Sequence, residues 1–91
     1  MKVNVTQEHI DAGVQSTPSS CPIALAVKEQ LGVSSVHVYA DYMSVDGRAY
    51  HLPNRAYQFI KRFDSRVKGG WLKRFFKWLY VRPFTFESKS Y

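Results

Sequence analysis

Apolar and polar positions alternate at the start of the chain. Val3 and Val5 are set between Lys2 and Asn4, and this period of two predicts a short half-buried strand over residues 1–5. Thr6 is a fair N-cap for a turn or short helix, Gln7 to Ala12, with Ile10 pointing inward and Gly13 able to take the left-handed conformation that ends it. The polar run VQSTPSS that follows reads as a loop. The period then changes in SSCPIALAVKEQLG. Pro22 suits the first helical position, Ile23, Leu25, Ala26, Val27 and Leu31 form an apolar side, and Gly32 is placed as the stop, so this segment predicts a core helix.

Alternation returns in VSSVHVYA, where Val36, Val38 and Ala40 oppose His37 and Tyr39. In MSVDGRAY, Asp46-Gly47 separates two extended runs, and a two-residue hairpin turn prefers this dipeptide because both central residues adopt positive φ. A meander of strands is therefore expected over residues 34–51. Pro53 opens another helix, in which Ala56, Phe59, Ile60 and Phe63 recur at helical spacing while Arg55, Lys61 and Arg62 face out. Gly69-Gly70 interrupts regular structure, and VRPFTFE predicts a last strand with Phe84 and Phe86 on one face and Pro83 holding it to a strand start or sheet edge.

The pattern predicts an α+β fold, a small, mainly antiparallel sheet with two to four helices packed on one face. It also predicts one domain over residues 1–87, an inserted helix within 65–80, and a flexible tail at 88–91. A chain of 91 residues holds one modest core and is too small for a cleft between two domains, which places function on the surface.

Residues 71–80 are the unusual part of the pattern. On a helical wheel Lys73, Arg74 and Lys77 share one wedge, while Trp71, Leu72, Phe75, Phe76, Trp78 and Leu79 fill the rest. That apolar arc is roughly twice the ~100° stripe of an ordinary surface helix. A domain of this size has little core left to cover it, so part of the aromatic area is expected to be exposed or held by a partner.

Charge sharpens the picture. The formal net charge is +6, yet residues 61–82 alone carry eight basic side chains against Asp64, a net +7, and the remainder of the chain sums to −1. A field of one sign concentrated in this way attracts polyanions and acidic protein surfaces and acts on association rather than on fold. No stretch approaches the ~18 uninterrupted apolar residues of a membrane span. The N-terminal residues lack the apolar core of a secretory signal, and Cys21 has no cysteine partner within the chain. A cytoplasmic, reducing setting is expected.

The combination of CPIALAVKE, the Asp46-Gly47 hairpin, LPNRAYQFIKRFD and VRPFTFE resembles a family of small uncharacterised proteins encoded by tailed bacteriophages. The resemblance covers residues 1–64 and 81–87. In that family the FD of the helix is followed after a few residues by the PF-x-FE strand, whereas here SRVKGGWLKRFFKWLY intervenes, so the basic aromatic stretch looks like an insertion on a common scaffold. The resemblance implies origin and fold. It carries over no catalytic residues and no cofactor.

Residues that often carry chemistry give little support to an enzyme. Cys21 abuts a helix N-terminus, where exposed amides lower a thiol pKa, and a nucleophilic role with His37 or His51 is conceivable. No oxyanion or triad motif accompanies it, and a packed structural cysteine is the plainer reading. His9, His37 and His51 lack zinc-ligand spacing, the Asp residues 41, 46 and 64 fall at element ends where Asp turns the chain, and no phosphate-binding glycine loop is present. A non-enzymatic protein without a cofactor or metal is expected.

The candidate site is the basic aromatic segment with its flanks: Arg62, Arg66, Lys68, Trp71, Lys73, Arg74, Phe75, Lys77, Trp78 and Arg82. Trp, Phe and Arg dominate protein interfaces, which favours docking on an acidic host protein or complex, with self-association as a variant of the same reading. Cations with Trp and Phe also suit a sequence-tolerant single-strand nucleic-acid binder. A membrane surface is a weaker fit for so short a helix. The plainest alternative is that the helix completes the core.

Overall fold

The computed structural model of the chain describes residues 1–64 and 82–91. The fold is α+β, and among the described residues there are two small antiparallel sheets, where one was expected, and three helices. Strand β1 (Lys2–Val5) buries Val3 and Val5 and exposes Lys2 and Asn4, as its alternation predicts. It pairs with the last strand, β5 (Phe84–Glu87), in the register Val3↔Phe86 and Val5↔Phe84, so the two ends of the chain share one sheet. The outer edge of β1 is closed by a side chain, since the Gln30 amide accepts the Asn4 N–H at 3.2 Å and donates to the Lys2 carbonyl.

Helix α1 (Gln7–Ala12) begins at Thr6, and a capping box forms with histidine in the position usually held by Glu or Gln. The Thr6 N–H donates to His9 Nδ1 at 2.9 Å. That acceptor role leaves the proton of the neutral ring on Nε2, which lies 3.1 Å from Glu29 Oε2 and ties α1 to the next helix. The end of α1 departs from expectation. Gly13 has φ −68° and ψ 149°, an extended conformation open to any residue. What requires glycine is space, because a Cβ there would stand 2.7 Å from Cδ and Cγ of Pro22.

Helix α2 (Pro22–Leu31) starts at Cys21, whose Sγ accepts the Ala24 N–H at 3.5 Å, and ends at Gly32 in the left-handed region with φ 67°. It packs against β1 on one side and β2 (Val36–Val38) on the other, which joins the two sheets through one helix. The core lies around this helix, where Ile23, Ala24 and Val27 meet Val3, Val36 and Met43.

The second sheet is the expected meander, order β2, β3 (Tyr42–Val45), β4 (Arg48–His51). Asp46 at φ 52° and Gly47 at φ 85° make the tight turn between β3 and β4, with Val45 opposite Arg48. Residues 88–91, expected as a loose tail, are instead tied down. The buried Ser88 hydroxyl donates to the His51 carbonyl at 2.6 Å, and its N–H donates to Met1 O at 2.7 Å. His51 N–H donates to Lys89 O, Tyr91 N–H donates to Ala49 O, and Ser90 bridges Tyr50, which extends the meander along β4. The open edge of β4 supplies backbone groups that need partners, and these four residues provide them.

Helix α3 (Asn54–Asp64) turns Ala56, Phe59 and Phe63 inward and leaves Arg55, Gln58, Lys61 and Arg62 exposed. Its first carbonyl partner is Pro53 O, which accepts from Ala56 and Tyr57. At its other end the loop after α1 is clasped to it, since Gln15 Nε2 donates to Phe63 O at 2.6 Å and Ser16 N–H donates to Asp64 Oδ1 at 2.9 Å. The expected insertion helix over 65–80 lies outside the described residues.

Candidate functional site

Arg55, Gln58, Phe59 and Arg62 stand at i, i+3, i+4 and i+7 of α3, a spacing that puts them on one face of a helix. Phe59, only 7% exposed, lies with its ring 4.5 Å from that of Phe84 on β5, and Phe84 in turn stacks on Phe86 at 5.6 Å. This aromatic packing brings the basic face of α3 beside the start of β5. Arg82, which precedes Pro83 and that strand, joins it there. Together the six residues, three of them arginine and two phenylalanine, line a groove of about 260 Å³.

The Arg55 guanidinium carbon sits 5.8 Å from the Phe84 ring centroid, which places a cation over that ring. Ion pairs among the described residues are Met1 with Glu87 and His9 with Glu29, and neither involves Arg55, Arg62 or Arg82. Residues 65–81 contain no Asp or Glu either. The groove is therefore electropositive without an internal counter-charge.

Of the predicted site residues, Arg62 and Arg82 meet in this groove. Arg66, Lys68, Trp71, Lys73, Arg74, Phe75, Lys77 and Trp78 lie outside the described residues. Sequence reasoning missed Arg55, Gln58, Phe59 and Phe84 as site residues. The signal for the first three was present in the i, i+3, i+4, i+7 spacing toward Arg62. Phe84 enters only through tertiary packing.

A second, larger cavity of about 480 Å³ opens between the Ser16–Pro18 loop, the end of β2 at Val38 and Tyr39, and the Tyr57–Lys61 face of α3. Cys21, 4% exposed, forms part of its wall, and neither His37 nor His51 does. Burial pushes the Cys21 thiol above its ordinary pKa and outweighs the hydrogen bonds from the helix amides of Ala24 and Ile23, which act the other way. The thiol is thus held protonated, as an N-cap and packing group, the reverse of what a nucleophile needs. Among the described residues no three His, Cys, Asp or Glu side chains are grouped to hold a metal ion, and no helix is long and apolar enough to cross a membrane.

No protein-family model matches the chain, and no curated protein or solved structure matches it either.

Proposed function

We propose that this chain is a non-enzymatic accessory protein of a tailed bacteriophage, acting in the host cytoplasm by binding an acidic host protein. The binding surface is Trp71 to Arg82, extended by Arg62, Arg66 and Lys68. One observation carries the reading: the charge of the molecule is concentrated in residues 61–82, and two basic side chains of this stretch, Arg62 and Arg82, line a common groove with no ion-paired carboxylate among the described residues. Unpaired guanidinium groups beside aromatic rings are the parts that protein interfaces use as anchors.

The test is affinity capture of the tagged protein from bacterial host lysate, with and without nuclease, alongside the charge-reversal variant Lys73→Glu/Arg74→Glu/Lys77→Glu. The reading expects a protein partner that survives nuclease and is lost from the variant while the unfolding midpoint stays put. Retention of the same partner by the variant sinks it. Capture that disappears with nuclease replaces the protein partner with a nucleic acid.

A further inference from the structure

The groove between α3 and β5 has a more specific chemistry than a positive patch. We infer that it is a receptor for a short acidic peptide segment, in which carboxylate side chains pair with Arg55, Arg62 and Arg82 and a neighbouring aliphatic side chain lies beside the half-buried Phe84. The inference rests on the reading above, that the partner is an acidic protein, and names the part of that partner which is recognised.

Charge complementarity points to the occupant. Three arginines line one groove, no carboxylate of the described residues forms an ion pair with them, and residues 65–81 contain no Asp or Glu. A guanidinium presents a rigid fork of N–H donors that matches a carboxylate with two parallel hydrogen bonds. Gln58, on the same wall, adds an amide that both donates and accepts, which suits a peptide backbone.

The same groove is poorly built for an unpaired nucleic-acid base. Single-strand binders offer a free aromatic face for stacking. Here Phe59 is buried, Phe84 packs on Phe59 and Phe86, and the Arg55 guanidinium lies over the Phe84 ring. Cations and an apolar wall remain on offer, without a stacking platform. The volume also speaks for side chains of a larger partner, since about 260 Å³ falls below the ~300–1,000 Å³ of pockets that enclose small molecules.

The experiment uses the full chain and fluorescence anisotropy with three probes: a fluorescein-labelled peptide of Glu, Leu and Ser, its counterpart with Gln at every Glu, and a labelled oligo(dT). The wild type is expected to bind the Glu peptide in a salt-sensitive manner and to ignore the Gln peptide. Arg55→Gln/Arg62→Gln/Arg82→Gln should weaken that binding by about tenfold, the summed loss of several exposed charge pairs. Because Arg55 also packs on Phe84, the double variant Arg62→Gln/Arg82→Gln checks that the loss does not come from unfolding, and it should show a smaller loss at an unchanged unfolding midpoint. The inference is overturned if the wild type fails to bind the Glu peptide, if both groove variants bind it as well as the wild type, or if oligo(dT) binds more tightly than the peptide at equal salt. Loss of host-protein capture in the Lys73→Glu/Arg74→Glu/Lys77→Glu variant, with peptide binding unaffected by the groove variants, overturns the groove alone. Capture unaffected in both sets overturns the broader reading as well.

Discussion

Gly13 and Pro22 are packed so closely that a single methyl group cannot be placed between them, since a Cβ on Gly13 would sit 2.7 Å from the Pro22 ring carbons. The contact seats the end of α1 directly on the first turn of α2. The Gly13 backbone, at φ −68°, would itself accept any residue.

Gly13→Ala is therefore a steric test. At an unconstrained extended site the substitution would stabilise by about 0.4–1 kcal/mol through the unfolded chain. Here overpacking should dominate and destabilise by about 1–3 kcal/mol, which urea unfolding measures directly. A neutral or stabilising result would mean that α1 and α2 separate without cost.

His9→Ala should cost about 1–2 kcal/mol, because it removes the acceptor for the Thr6 N–H and the contact to Glu29 together. His9→Gln, which restores the usual capping-box residue type, should recover part of that loss. Denaturant midpoints of the three proteins give the comparison. Equal midpoints for wild type and His9→Ala would show the cap to be idle.

Cys21 should react slowly with a thiol reagent at neutral pH in the folded protein and fast in urea, since burial disfavours its thiolate. The linkage has a definite sign. A thiol whose folded pKa is raised contributes stability that is complete below the unfolded pKa, about 8.5, and is lost as pH climbs through the folded value. Wild type should consequently lose more stability above pH ~9 than Cys21→Ala does, a difference read from unfolding curves at several pH values. Parallel pH profiles would contradict it.

Ser88→Ala should destabilise by about 1 kcal/mol, since the buried hydroxyl is a donor to the His51 carbonyl. Deleting residues 88–91 should cost more, because Met1 O, His51 N–H and Ala49 O lose their backbone partners as well. Faster amide exchange at His51 in the truncated protein is the specific readout.

Signals that lie within one element were legible in the sequence. Pro22 and Gly32 bracket α2, Asp46-Gly47 turns the hairpin, and Thr6 caps α1, each through chemistry carried by the residue itself. Features that depend on a distant partner were not. Gly13 looks like a helix terminator because glycine serves left-handed caps and close contacts alike, and only Pro22 decides which. The SKSY tail looks disordered by composition, yet its order comes from the β4 edge and from Met1. The division into two sheets follows from β1 choosing β5, a pairing that local alternation cannot specify. Arg62 and Arg82 could be selected by charge, whereas their convergence needed Phe59 to find Phe84.

The pairing of β1 with β5 sets an order of events during synthesis. The first strand leaves the ribosome long before its partner exists, so Val3 and Val5 have no strand to lie against until Phe84 and Phe86 have been translated. Gln30 appears much sooner and can occupy one edge of β1 while the other waits. Closure of that sheet thus waits until residues 84–87 have been made. A message truncated before Phe84 would yield a product with an unpaired apolar strand, the kind of segment that recruits other chains or a protease.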